Sequence, residues 1–343
     1  MRVLVVTNLY PTATGPTKGP FVKKQVEALS RAGIDVSLLH VRRDARGRGV
    51  YLRLLGAVHR AAADSQPDVI HVMYGGVMAA VITASSTLGP VVVTFYGSDL
   101  LAANANTRGL TRMSALAGVR ASHFAALRAR GIVVQSQVLA DALPRHVDRS
   151  RVSIIPDGID LEEFAPFDRL ECQQALGWDP ASKHIVFPSA RTVAAKRFEL
   201  AEAAVGRLIS AGHDVQLHEL KGVPHAQVPT LLNASNLVVL TSSHEGSPNV
   251  VKEALACNVG VVAVDVGDVR ERLEGIPGCF IAAATPDDVA AKMALALEHD
   301  RVPGRERMDE LSVGRVAERL IEVYEAAASP RWANRQISRS RYK

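Results

Sequence analysis

Leu237-Val238-Val239-Leu240-Thr241-Ser242-Ser243-His244-Glu245-Gly246-Ser247-Pro248-Asn249-Val250-Val251-Lys252-Glu253 passes from an unbroken apolar run, through a short polar loop, into a segment with a proline near its start. An apolar run without alternation reads as a strand buried on both faces, the habit of parallel sheets. Ser247 is the expected N-cap, and Pro248 falls in the first helical turn, where a missing N–H does no harm. The predicted unit is strand, loop and helix, with the free amides of the helix start opening on the carboxyl edge of a sheet. Such a start attracts anions. Glu253 lies eight residues after Glu245, about one and a half turns into the helix, and returns a carboxylate to the same opening. A carboxylate beside a phosphate is repelled unless it accepts hydrogen bonds, and sugar hydroxyls are such donors. The pattern reads as a place for a sugar nucleotide; the alternative is a solvated acidic pair on an ordinary helix.

The same rhythm extends in both directions. Apolar runs at Val3 to Thr7, Val36 to Val41, Val69 to Met73, Val91 to Phe95, Ile132 to Gln135 and Val152 to Ile155 predict a first set of short buried strands. Phe21, Val22, Val26 and Leu29 recur at helical spacing before Gly33 stops the helix. Ile155-Pro156-Asp157-Gly158-Ile159-Asp160 is rich in turn residues and marks a domain boundary. A second set of strands follows at Ile185 to Phe187, Val215 to Leu217, Leu237 to Leu240, Val259 to Val264 and Phe280-Ile281. Thr285-Pro286-Asp287-Asp288 opens a helix through about Leu297, and Val316, Leu320, Ile321, Val323 and Tyr324 form a last amphipathic one. The expected class is α/β, with two Rossmann-like domains facing each other across a cleft. We divide the chain into an N-terminal domain of residues 1–165, a C-terminal domain of 166–325, and a helix end with a basic tail, 326–343, packing on the N-terminal domain.

Size and composition agree. The 343 residues, 48% hydrophobic and 22% charged, suit two ordinary soluble domains. Cys172, Cys257 and Cys279 have no metal-ligand spacing and make an odd count, which fits a reduced cytoplasmic setting. The chain opens on a strand without a signal-like block, and no apolar stretch is long enough to span a bilayer. Lys/Arg exceed Asp/Glu by 19 to 12 in residues 1–165, whereas the counts are 21 to 23 in the remainder. The basic excess gathers in Arg42 to Arg48 with Arg53, and in the tail from Arg331-Trp332 to Lys343. It is either a solvated surface or a peripheral contact with the anionic inner face of a membrane. No recognition motif or aromatic platform accompanies it, so nucleic acid is not an expected partner.

Glu245 to Cys257, continued by Val264-Asp265-Val266-Gly267-Asp268-Val269-Arg270-Glu271, resembles the signature of retaining glycosyltransferases of the GT-B fold, specifically glycosyltransferase family 4. Bacterial enzymes of exopolysaccharide and glycoconjugate assembly look most similar. The resemblance covers most of residues 185–325. It implies that Glu253 accepts hydrogen bonds from the nucleotide ribose and that Glu245 holds hydroxyls of the donor sugar. Gly246, Ser247, Pro248 and Asn249 then present backbone to the sugar and diphosphate. Arg191 and Lys196 match the family's basic pair and complete a catalytic set with Glu245, neutralising the departing diphosphate. The chain shows no Asp-x-Asp pattern, so no metal is required on this reading and no further cofactor is implied. Gly19 resembles the glycine of the family's first loop, where backbone approaches the diphosphate. His71, Tyr96 and Asp99 fall on the acceptor side.

The departures are as informative. Tyr96 stands where many relatives have histidine, and a phenol cannot take up a proton near neutral pH. Residues 217–228 are too few for the extra strand and helix many relatives carry there. Gly260 replaces a usual proline, at a cost of about 0.4–1 kcal/mol in unfolded-state entropy. The reading as a whole is a retaining hexosyltransferase. It takes a nucleotide sugar, with UDP favoured over GDP, and serves a glycan, lipid-linked or small hydroxylated acceptor. The competing readings are a non-catalytic nucleotide-sugar binder and a UDP-sugar epimerase or hydrolase of the same fold.

Overall fold

The computed structural model describes residues 1–12, 19–42, 50–101 and 110–329. The chain forms two compact units, Met1–Pro156 with Gly314–Lys343, and Asp157–Val313. The first holds β1 (Arg2–Thr7), β2 (Asp35–His40), β3 (Val69–Met73), β4 (Val91–Phe95), β5 (Gly131–Val134) and β6 (Val152–Ile154). All pair in parallel, in the order β2-β1-β3-β4-β5-β6. The second holds β7 (Lys183–Phe187), β8 (Val215–Glu219), β9 (Leu237–Leu240), β10 (Gly260–Val264) and β11 (Phe280–Ala282), again parallel, in the order β11-β10-β9-β7-β8. Each strand lies where an apolar run predicted it.

Parallel neighbours need crossovers, and the helices supply them on both faces. In the first unit, α1 (Pro20–Arg31) links β1 to β2, α2 (Val50–Ser65) links β2 to β3, α3 (Gly76–Ala84) links β3 to β4, α4 (Leu110–Arg128) links β4 to β5 and α5 (Gln137–Asp141) links β5 to β6, while α6 (Arg169–Leu176) precedes β7 in the second unit. Leu4, Val6, Ile70, Val72, Val93 and Phe95 pack on one face against Val58, Met78, Ile82 and Ala125 from these helices. In the second unit, α7 (Phe198–Ser210) and α11 (Pro286–Leu297) cover Ile185, Phe187, Val239 and Val262. The opposite face, with Val186, Val238, Leu240 and Val261, is covered by α8 (Val228–Ala234), α9 (Asn249–Ala256) and α10 (Val269–Leu273).

The division of the chain differs from the sequence-based one. The crossing falls at Pro156, inside the predicted turn run, rather than at residue 165, and the last helix, α12 (Val313–Ala328), returns to the first unit from Gly314 onward. Tyr324 is the reason. It is fully buried, and its hydroxyl lies 2.7 Å from Nδ1 of His71 in β3. Arg319 and Arg130 reinforce the seam by donating to the carbonyls of Ile154 and Ala327. The short connection after β8 runs through a single turn, His225–Gln227, directly into α8. At Gly260 an added Cβ would meet the Gly278 carbonyl oxygen at 3.0 Å, so close backbone approach accounts for the glycine beyond its entropy. The basic run at 43–48 and the tail at 331–343 lie outside the described residues.

Candidate active site

In the second sheet β8 and β9 lie on either side of β7, so the loops leaving β7 and β9 part at the sheet's topological switch point. Both loops carry predicted site residues, and the structure stitches them together. Arg197, in a left-handed conformation (φ 50), donates through Nε to the Thr241 carbonyl (2.6 Å) and through Nη2 to that of Ser242 (2.9 Å). Thr241 Oγ1 donates back to the Lys196 carbonyl (2.8 Å), and the Ser243 amide to that of Ala195 (2.8 Å). Lys196 and Glu245, 49 residues apart in sequence, are thereby brought together, with Nζ 2.5 Å from Oε1. Their side chains are 27% and 16% exposed, open enough for a ligand yet shielded from bulk screening.

Arg191 sits at the same edge in a different posture. Its amide donates to Glu219 Oε2 (2.8 Å) and its Nε to Oε1 (2.5 Å), while the guanidinium lies 4.5 Å over the Phe198 ring. The Arg191 amide, then its guanidinium, hold the Glu219 carboxyl below the usual carboxylate range. Nη1 and Nη2 of Arg191 make no hydrogen bond among the described residues.

The helix start differs from expectation by one residue. α9 begins at Asn249, Pro248 occupies the N-cap with extended backbone (φ −71, ψ 116), and no side chain caps it. Ser247 instead donates its hydroxyl to Asp268 Oδ2 (2.9 Å), which also accepts from Arg272 Nε (3.0 Å). The extended Pro248 displaces Ser247 from capping position, and Gly267 (φ 59) turns Asp268 into reach. A Cβ on Gly267 would lie 2.5 Å from the Gly246 carbonyl oxygen. The first-turn amides therefore have no side-chain partner, and the Asn249 Oδ1, also buried, has none among the described residues.

Glu253, with a side chain 13% exposed, lies 3.8 Å from Nε2 of His225. Nδ1 of that ring is 3.2 Å from Glu163, and its face meets Phe164 edge-on at 5.7 Å. Lys252 points the other way, fully buried, and donates to the Asp157 carbonyl (2.9 Å). Burial lowers its pKa while Asp157 and Asp268 pull it back.

The first unit places its predicted residues with unequal results. Gly19 (φ 67, ψ 42) is the N-cap of α1, and a Cβ there would lie 2.7 Å from the Leu9 carbonyl, so a glycine is needed to bring this helix start against the β1 loop. Asp99 is 4% exposed and accepts from the amides of Gly75 (2.8 Å), Gly97 (2.8 Å) and Tyr96 (3.0 Å). Burial raises its pKa and those amides oppose the rise. It clamps the β3 and β4 loops to one another rather than offering itself to an acceptor. Tyr96, half-buried, leans on Phe21 with ring centroids 5.2 Å apart. His71 lies inside the first sheet. It is fully buried in β3, its two nitrogens at 2.7 Å from Tyr324 and 2.6 Å from Thr94, and burial pushes its pKa down to about 3.

Comparison with known proteins follows this geometry. Residues 19–163 match the model of Glycosyltransferase Family 4, and residues 190–299, spanning Arg191 to Glu253, match that of the Glycosyl transferases group 1. Both models describe glycosyltransferases, and together they cover most of both units. The transferase is 27% identical over 381 residues to the candidate teichuronic acid biosynthesis glycosyltransferase TuaC of Bacillus subtilis strain 168, covering 91% of this chain and 92% of that one. Among solved structures it resembles sucrose-phosphate synthase from Thermosynechococcus elongatus, with TM-score 0.74 and 17% identity over 96% of this chain and 100% of the other. It also resembles HepE of Anabaena in complex with UDP and glucose, with TM-score 0.67 and 16% identity over 95% and 100%. These structural likenesses establish the GT-B fold.

Three functional neighbours in the transferase escaped the sequence reading. His225 reaches Glu253 from a distant segment and is itself met by Glu163, and Glu219 reaches Arg191 from the end of β8. No spacing announces them. The buried Lys252 was visible within the motif, but its contact with Asp157 spans 95 residues.

Proposed function

We propose that this glycosyltransferase draws its sugar from a nucleotide sugar, a UDP-hexose in the first instance, and transfers it with retention of configuration. The acceptor is a hydroxyl of a glycan, lipid-linked or small molecule. The observation that carries the reading is the Lys196–Glu245 pair beside the uncapped start of α9, with Glu253 on the same helix. A cation, free amides and two carboxylates at one sheet edge match, in order, a diphosphate and the hydroxyls on either side of it. The HepE complex with UDP and glucose and the naming of TuaC for a glycan supply the choice of donor and acceptor class.

In the proposed step, the bond between the sugar's anomeric carbon and the phosphate oxygen breaks with its electron pair going to the diphosphate. Lys196, the terminal nitrogens of Arg191 and the α9 amides stabilise that charge as it develops, without a metal ion. Lys196 exchanges Glu245 for phosphate, and the released carboxylate accepts from sugar hydroxyls. Glu253 takes the ribose hydroxyls. The acceptor hydroxyl attacks from the face the diphosphate leaves and passes its proton to the departing phosphate oxygen, so neither glutamate acts as a base.

A thermal-shift panel of UDP- and GDP-sugars, each with magnesium or chelator, tests the reading together with nucleotide release. A UDP-sugar should raise Tm equally in both conditions. Glu253→Ala should weaken donor binding about 10- to 100-fold, by removing charge-assisted hydrogen bonds worth about 1.5–3 kcal/mol. Strict dependence on magnesium would sink the metal-free step, and undiminished donor binding by the variant would sink the donor site.

A further inference from the structure

Glu163, His225 and Glu253 come from three separate segments of the second unit, and the backbone around them is clamped. Asp160 accepts from the amides of Glu162 and Glu163 (3.1 and 3.2 Å), which makes the Glu163 segment a tight turn. Arg305 donates to the carbonyls of Phe164 and Leu161 in that turn, and also to that of Ala256 at the end of α9. Asn233 of α8 donates to the Ala165 carbonyl (2.9 Å) and accepts from the Phe167 amide (2.8 Å), so the helix that follows His225 is tied to the same segment. Phe164, fully buried, sets its ring edge-on to that of His225. Side chains carried on such a frame are held in position before a ligand arrives.

The hydrogen-bond chemistry along this line has a direction. An ionised carboxylate only accepts, so the 3.2 Å contact with Glu163 puts the proton of a neutral His225 ring on Nδ1 and leaves Nε2 an acceptor. Nε2 then faces Glu253 Oε1, a second acceptor, at 3.8 Å, beyond hydrogen-bond reach. Two acceptors side by side suit a ligand that brings two adjacent O–H donors. The ribose of a nucleotide carries such a pair, whereas a phosphate at this place would meet acceptors alone. We propose that His225 and Glu253 together receive the vicinal diol of the nucleotide ribose, one hydroxyl donating to each, with Glu163 as the positioning residue that fixes the His225 ring. The assignment rests on Glu253 as the ribose ligand of the donor and adds a selectivity to it: His225 makes this transferase prefer ribonucleotide over deoxyribonucleotide donors.

Isothermal titration of the full chain with UDP, 2′-deoxy-UDP and 3′-deoxy-UDP tests the proposal. Wild type should bind UDP more tightly than either analogue, by about 3- to 10-fold for the hydroxyl lost. His225→Phe keeps an aromatic ring against Phe164 and removes Nε2. It should bind UDP about 3- to 10-fold more weakly and lose discrimination against one analogue, while keeping it against the other, whose missing hydroxyl belongs to Glu253. His225→Gln, whose side-chain amide reaches the Nε2 position, should restore part of that discrimination, and Glu163→Leu should weaken it. A ring that only supports the fold would weaken all three nucleotides alike, and that outcome overturns the proposal. Wild-type selectivity in His225→Phe, or equal binding of the three nucleotides by wild type, overturns it as well. Glu253→Ala separates the two levels. UDP that fails to bind wild type, or binds Glu253→Ala as tightly, removes the donor site itself; UDP weakened by Glu253→Ala, with selectivity unaltered in His225→Phe, removes His225 alone.

Discussion

Lys196 and Glu245 are each other's counter-ion, and the partial burial of both gives their separation a chemical consequence. A surface ion pair is worth little, but a shielded cation facing developing phosphate charge acts where water does not reorganise to compete. Lys196→Ala should lower kcat by about 10²–10³-fold, the range seen when one fixed donor to a developing oxyanion is removed. Lys196→Arg should recover part of that loss. Initial rates of nucleotide release check it, and a kcat within twofold of wild type would remove Lys196 from the proposed step. His71 and Asp99 teach the complementary lesson. Each is a residue type that catalysis favours, and each spends its polar atoms inside the first unit, on Tyr324 and Thr94 or on three backbone amides.

The donor loop is held by elements rather than by single side chains. The turn after β10 approaches the segment before α9 so closely that Gly267 has no room for a Cβ beside the Gly246 carbonyl. Its positive φ adds strain for any other residue. Gly267→Ala should therefore shift Gly246 and Ser247, disturb the Ser247–Asp268 hydrogen bond, and raise the donor KM several-fold. It should also cost about 1–3 kcal/mol of stability through the forced left-handed conformation. Steady-state kinetics alongside thermal melting separates the two effects, and a melting loss with unaltered KM would show that the turn supports the fold alone. The strand–loop–helix unit was legible from the apolar run and the proline. The one-residue shift of the cap was not, because it depends on Asp268 arriving from the turn after the next strand.

Each unit carries a histidine whose pKa is lowered, fully buried His71 in the first and half-buried His218 in the second, and this couples overall stability to pH. Burial lowers the pKa of His71 to about 3, and burial followed by His184 lowers that of His218 to about 4, from an ordinary 6.5. His218 stacks on Trp178 at 3.8 Å and lies 2.9 Å from His184. Above pH 6.5 neither state is protonated at these rings and their burial carries no titration penalty. Below it the unfolded chain binds protons that the folded chain refuses, so stability falls from 6.5 toward about 4 and, for His71, on toward about 3. Urea midpoints should drop steadily from neutral pH to about 4.5, and His218→Gln should flatten the curve of the second unit; a flat wild-type profile would contradict the assignment. By itself the sequence determined the parallel α/β class, the strands, the glycosyltransferase resemblance and the Glu245 to Glu253 motif, because each is written in local periodicity or in a contiguous pattern. Only the tertiary structure decided that α12 returns to the first unit, that His71 and Asp99 spend their polar atoms inside it, and that His225, Arg191 and Lys196 meet their carboxylates. The contacts of His71 with Tyr324 and of His225, Arg191 and Lys196 with their carboxylates join side chains 28 to 253 residues apart, and they follow from strand order and burial, which no local pattern encodes.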